Sequence, residues 1–188
     1  MSKAIKENLD LLHSSNIYLP TRTIFLTGEI NEGTYEETIK NLHALDTEPE
    51  TVTIYLNSGG GEVDAGFAIY SAIKAMKSLV RCVVWGQASS MASVILQGCD
   101  ERILLPHSYV MIHEGSDATL NAPRDIQKQW AKFSDLQMKQ VEDIYLEKIK
   151  SKRSFSRKRL QEMLKTDTIL TAQEAVKLGL ADMIKDVI

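Results

Sequence analysis

Short apolar runs, each closed by glycine, proline or polar residues and separated by stretches of helical periodicity, most constrain what this chain can fold into. Thr23-Ile24-Phe25-Leu26-Thr27 is punctuated by Gly28, and Thr51-Val52-Thr53-Ile54-Tyr55-Leu56 is β-branched and apolar. Val80 to Trp85, Arg102 to Leu105 and Tyr109 to Ile112 continue the series. Runs of this length and composition suit buried strands. Between them, Thr34 to Leu45 reads as a helix, with Thr34 as N-cap and Glu37 completing a capping box. Residues 64–77 carry Phe67, Ile69, Tyr70, Ile73 and Met76 at helical spacing, with Asp64 as cap. The glycine-rich stretch Asn57 to Gly61 is expected to break the strand before that helix. Strand and helix alternating at such short intervals predict an α/β domain with largely parallel strands.

The 188 residues are expected to form one domain spanning 1–188, large enough to bury a core unaided. A net charge of −3 offers no general attraction to nucleic acid or membrane. Cys82 and Cys99 lie in apolar segments without a CxxC motif, which fits buried thiols in a reducing compartment; a disulfide between them is the alternative. The segment Met1 to Asn8 has charges where a secretory peptide needs its apolar region, and no apolar run reaches the ~18–20 residues of a membrane span. A cytoplasmic protein with no membrane partner is expected.

The first twenty positions offer Leu9, Leu11, Leu12, Ile17, Tyr18 and Leu19 for packing, and Pro20 ends whatever precedes it. From Pro123 to Lys150 there is no glycine or further proline, while Ile126, Trp130, Phe133, Val141, Ile144 and Ile149 recur at helical steps. Such a helix would reach about 40 Å, more than the body requires, and is expected to project onto another subunit. Lys148 to Arg159 is strongly basic. It could bind nucleic acid, but a single aromatic, Phe155, and its place between two helices favour a solvated corner. Residues 156–165 form a further helix, and Thr171 opens the last one, Ala172 to Leu178, stopped by Gly179.

The chemistry centres on Gly86-Gln87-Ala88-Ser89-Ser90-Met91-Ala92-Ser93. Ser90 stands where a strand turns into a helix, beside free backbone N–H groups and the positive end of the helix dipole. That setting suits a nucleophile, because the same amides can stabilise an oxyanion. Ser89 or Ser90 could equally be a plain helix cap. His113 follows a buried strand, and Asp167 precedes the final strand–helix unit. Gly59-Gly60-Gly61 suggests a backbone that approaches a ligand closely, but it lacks the lysine and hydroxyl residue of a phosphate loop.

Together these stretches resemble the ClpP family of self-compartmentalising serine peptidases, peptidase family S14. The likeness runs from about Thr23 to Asp182. Its anchors are Phe25-Leu26-Thr27-Gly28, Tyr55-Leu56-Asn57-Ser58 with the glycines, Gly86 to Met91, Val110-Met111-Ile112-His113, and Thr171 to Ala175 with Gly179 to Asp182. The resemblance implies a ClpP/crotonase-type spiral of ββα units with a projecting handle at about 114–150. It implies Ser90 as nucleophile, His113 as general base and Asp167 as the carboxylate orienting the imidazole. The backbone N–H groups of Gly61 and Met91 would form the oxyanion hole. No metal or cofactor is implied. A peptide or unfolded protein would be cleaved inside a homo-oligomeric chamber, a heptameric ring that in the family stacks as a 14-mer. An AAA+ ATP-driven unfoldase would feed it; nucleic acid and membrane are not implied partners. This chain departs from the family at Gly59 (usually proline), Ala92 (glycine), Glu114-Gly115 (Gln-Pro) and Thr166 (a ring-coupling arginine), as a divergent or phage-encoded member would. A catalytically silent ring subunit and a crotonase-fold acyl-CoA enzyme are the competing expectations.

Overall fold

The apolar runs become the strands of one forked sheet. The computed structural model describes residues 2–47, 50–115, 123–149 and 155–186. Its strands are β1 (Ile17–Tyr18), β2 (Thr23–Ile30), β3 (Val52–Gly61), β4 (Val80–Ser89), β5 (Glu101–Leu104), β6 (Tyr109–Ile112), β7 (Thr168–Thr171) and β8 (Met183–Ile184). Strands β2 to β5 lie side by side in parallel, with β1 antiparallel on one edge and β8 parallel on the other. Strand β4 outruns its neighbour. Arg81–Val84 pair with β5, whereas Gln87–Ser89 pair with β6, which then pairs antiparallel with β7. This fork carries the functional site.

The helices are α1 (Lys3–Ser15), α2 (Glu32–Leu45), α3 (Val63–Ala75), α4 (Met91–Gly98), α5 (Arg124–Lys148), α6 (Arg157–Leu164) and α7 (Ala172–Leu178). Every residue of α4 is buried, packed against α3, α5 and strand β3. A core of Ile54, Leu56, Val84, Ile95, Leu96 and Leu104 joins the sheet to α4. Cys82 and Cys99 belong to it as free, buried thiols, and burial pushes the Cys82 thiol well above its ordinary range.

Several boundaries differ from the sequence expectation for identifiable reasons. The glycine tract does not end β3. It continues as strand to Gly61 and pairs with Glu29 and Ile30, with positive φ values at Gly60 (94°) and Gly61 (151°). Helix α2 begins before Thr34, because the Asn31 side chain accepts the Thr34 N–H and acts as the cap. Glu37 is thereby free to accept from Asn16 on the neighbouring turn at 2.9 Å. The N-cap of α3 is Glu62, without a side-chain cap bond. Asp64 instead accepts from Gln137 of α5 at 2.6 Å. At the N-terminus, Asn16 in the left-handed region ends α1 ahead of Pro20, and Ile17 is buried while Leu11 and Leu19 are exposed. The final helix matches its sequence signals throughout: Thr171 and Glu174 form a capping box, which holds the Glu174 carboxyl below its usual range.

The long helix α5 spans 25 residues, about 37 Å at 1.5 Å per residue. Its C-terminal half turns Val141 and Tyr145 into the body. Its N-terminal half leaves Ile126, Trp130, Phe133 and Leu136 at 41%, 52%, 44% and 60% exposure. The basic corner is knitted into the fold. Arg157 pairs with Glu142 at 2.6 Å and also with Asp143, and Arg159 lies over the Phe155 ring at 5.0 Å. Lys150, Lys152 and Arg153 of that cluster lie outside the described residues. Among the described residues no helix is long and apolar enough to cross a membrane, and no cluster of side chains could hold a metal ion.

Candidate active site

Strand register brings the singled-out residues together. Ser89 at the end of β4 is paired with Met111 of β6, and Ile112 is paired with Thr168 of β7. Ser90, His113 and Asp167 therefore stand just beyond the ends of three neighbouring strands. The alternation of strand side chains buries Ile112 and turns His113 out of the core.

The side chains complete what the register sets up. Ser90 Oγ lies 2.8 Å from His113 Nε2, and His113 Nδ1 lies 3.0 Å from Asp167 Oδ1. A carboxylate only accepts, so Nδ1 carries the proton and donates it to Asp167. Nε2 is left as acceptor for the Ser90 hydroxyl. This is the tautomer in which the imidazole can take the serine proton.

Ser90 does not cap α4 with its side chain; neither does Ser89, whose hydroxyl donates to Gln87 at 3.0 Å. The plain-cap reading therefore fails. Ser90 has φ 53° and ψ −127°, a region that costs a non-glycine residue about 1–3 kcal/mol. Hydrogen bonds pin both sides of it. Its N–H donates to the Met111 carbonyl at 2.9 Å, and its own carbonyl accepts the Ser93 N–H at 2.9 Å and the Ser93 hydroxyl at 2.6 Å. Such a turn lifts a serine hydroxyl clear of the backbone at the top of a sheet.

The end of β3 packs directly beneath this turn. A Cβ on Gly60 would lie 2.6 Å from Ser90 Cβ and 2.7 Å from the Ser89 carbonyl oxygen, and one on Gly61 would meet the Ile30 carbonyl at 2.1 Å. Gly59 has open space, so close approach demands glycine at 60 and 61 only. We expect Gly60→Ala to displace the Ser90 hydroxyl from His113 and so to lower any activity that runs through that pair about a hundredfold. Gly59→Ala, measured beside it, should change little; equal activity in the two variants would refute this packing argument.

A cleft of about 280 Å3 opens over the serine. Gly61 and Met91 line it on the serine's side, and Met91, the first residue of α4, has no intrahelical acceptor for its N–H. Val94, Met138, Val141 and Tyr145 give the cleft an apolar wall, while Glu114 and Gln137 lie among its polar members. Sequence reasoning passed over Ser93 and Tyr145. The signal for Tyr145 was present: Met138, Val141, Tyr145 and Ile149 recur at i, i+3, i+7 and i+11, one face of a helix. Nothing in the sequence singles out Ser93.

A serine, an imidazole and a carboxylate in hydrogen-bonded series on a forked α/β sheet define the fold and site of a serine-hydrolase type. Comparison with known proteins narrows the class. The family model described as Clp protease matches residues 7–187. The ATP-dependent Clp protease proteolytic subunit of Chlorella vulgaris is 32% identical over 167 residues, covering 87% of this chain and 81% of that protein. Subunit 1 of the corresponding protease from Chlamydia abortus is 34% identical over 178 residues, covering 87% and 86%. Among solved structures, a mutant of ClpP1 from Listeria monocytogenes superposes with a TM-score of 0.77 at 27% identity, covering 89% of this chain and 93% of that one. The chain belongs to the Clp protease family.

Proposed function

We propose that this chain is a serine endopeptidase that cleaves peptides or unfolded polypeptides through an acyl-enzyme. Ser90 attacks the scissile carbonyl and passes its proton to His113 Nε2, while Asp167 holds the imidazole in the required tautomer. The carbonyl oxygen, now negative, is stabilised by the backbone N–H groups of Gly61 and Met91. Collapse expels the amine, which takes the proton from His113, and water then releases the acyl group by the same route. The observation that carries this reading is the unbroken series of 2.8 Å and 3.0 Å contacts from Ser90 to Asp167. An acyl-CoA enzyme stabilising an enolate would have no use for it. The test is covalent labelling of the intact protein by a fluorophosphonate, read by mass, beside cleavage of a fluorogenic peptide. Labelling at Ser90 with turnover is expected. A folded protein that is neither labelled nor active would overturn the reading in favour of a silent subunit or an acyl-CoA enzyme.

The same reading puts the active site inside a cytoplasmic, ring-shaped homo-oligomer fed by an ATP-driven unfoldase. What supports assembly is the handle, where Ile126, Trp130, Phe133 and Leu136 leave an apolar stripe uncovered. Seclusion also supplies the restraint that an unspecific peptidase needs among folded proteins. A charge within the stripe should oppose packing of one handle on another. Leu136→Glu is therefore expected to reduce the native particle mass markedly, by mass photometry, while leaving the Tm of the subunit nearly unchanged. An unaltered mass would remove this stripe from the assembly interface.

A further inference from the structure

Tyr145 lies on α5, outside the Ser–His–Asp series, yet it is 1% exposed and its hydroxyl faces α4. Tyr145 Oη and Ser93 Oγ are 2.6 Å apart, and Ser93 Oγ is 2.6 Å from the Ser90 carbonyl oxygen. That carbonyl can only accept, so the Ser93 hydroxyl donates to it and the Tyr145 hydroxyl must donate to Ser93. The result is a directed relay from the handle helix to the backbone of the strained residue. Ser93 is 0% exposed, so water cannot replace either bond.

We infer that Ser93 and Tyr145 are positioning residues for the nucleophile, a hydroxyl relay that holds the Ser90 carbonyl and so keeps its side chain aimed at His113. The inference rests on Ser90 being the nucleophile. Ser90 occupies a backbone region that relaxes unless its surroundings oppose it, and the Ser93 N–H donates to the same carbonyl. Tyr145 also lines the cleft, and replacing it by phenylalanine keeps the ring there while removing only the hydroxyl, so holding the serine and lining the cleft are separable. Burial raises the phenol above its ordinary pKa, which keeps it a neutral donor throughout the working pH range.

The experiment compares wild type, Tyr145→Phe, Ser93→Ala and the double variant as assembled protein, measuring kcat, KM, fluorophosphonate labelling rate, native mass and Tm. Tyr145→Phe keeps the ring and removes one hydrogen bond. It should lower kcat and the labelling rate together by about five- to tenfold, with KM and particle mass unchanged. Because tyrosine acts through serine, adding Tyr145→Phe to Ser93→Ala should cost no further kcat. Should Tyr145→Phe not fold, a joint loss of kcat and labelling rate in Ser93→Ala, at unchanged KM, carries the test. Unchanged kcat in the folded variants would overturn the relay. So would a rise in KM without a fall in kcat, or additive losses in the double variant, since those describe a cleft wall or independent packing. A wild type that is itself unlabelled would overturn the proteolytic reading, and the relay's purpose with it.

Discussion

Ser90→Ala is expected to abolish peptide cleavage, with a loss in kcat on the order of 10⁶ and no change in fold. Removing Oγ leaves His113 Nε2, now 2.8 Å from a missing atom, with no proton to take and no nucleophile to activate. What survives is binding plus the two amides, which on their own retain on the order of 10³–10⁴ over water. Alanine also relieves nothing in the backbone, because φ 53° is as unfavourable for alanine as for serine. The hydrogen bonds from Ser90 N–H to Met111 and from Ser93 to the Ser90 carbonyl persist, so Tm should move little. The check is cleavage of a fluorogenic peptide at matched protein concentration together with native mass. A variant that retains more than about one part in 10⁴ of wild-type kcat would place the nucleophile elsewhere.

Asp167→Asn should produce the next largest loss, on the order of 10³ in kcat. The substitution is nearly isosteric, and its effect is a matter of proton placement. An asparagine NH₂ turned toward Nδ1 makes that nitrogen the acceptor, so the proton moves to Nε2, which can then no longer accept from Ser90. A fully buried carboxylate in such a series is worth about 10⁴. Asp167 is 68% exposed on its side chain, so solvent screens its charge and an asparagine there can rotate to present its carbonyl instead. Both effects pull the loss below the buried value. The measurement is kcat with the fluorophosphonate labelling rate, which should fall in parallel because each depends on the same proton transfer. A loss under about threefold would show that water orients the imidazole adequately and that Asp167 has no catalytic part.

Much of this was legible along the chain, and particular elements show why. Runs such as Val80 to Trp85 carry their own strand signal in β-branched and apolar side chains, and the Thr171–Glu174 box with Gly179 encloses α7 by local chemistry alone. Local signals misled where another residue intervened. Asn31, three residues upstream, opens the helix earlier and its side chain takes the Thr34 N–H, which leaves Thr34 inside the first turn. Asp64 left the α3 cap for Gln137, seventy-three residues away in sequence. The glycine tract reads as a break by composition, yet pairing with Glu29 and Ile30 keeps it extended. Glycine there answers to the crowding beneath Ser90, a demand made by another strand.

By itself, the sequence determined the kind of elements, their order, and that Ser90, His113 and Asp167 would each stand at the end of one. Those properties follow from residue type and spacing within a few positions. Whether the three would meet was decided only in three dimensions, by the fork of β4 and the register that pairs Ser89 with Met111 and Ile112 with Thr168. The link from Tyr145 through Ser93 to the Ser90 carbonyl belongs to the same level. Hydrogen bonds reach only about 3 Å, so their partners are chosen by which surfaces the packed core presses together and not by distance along the chain.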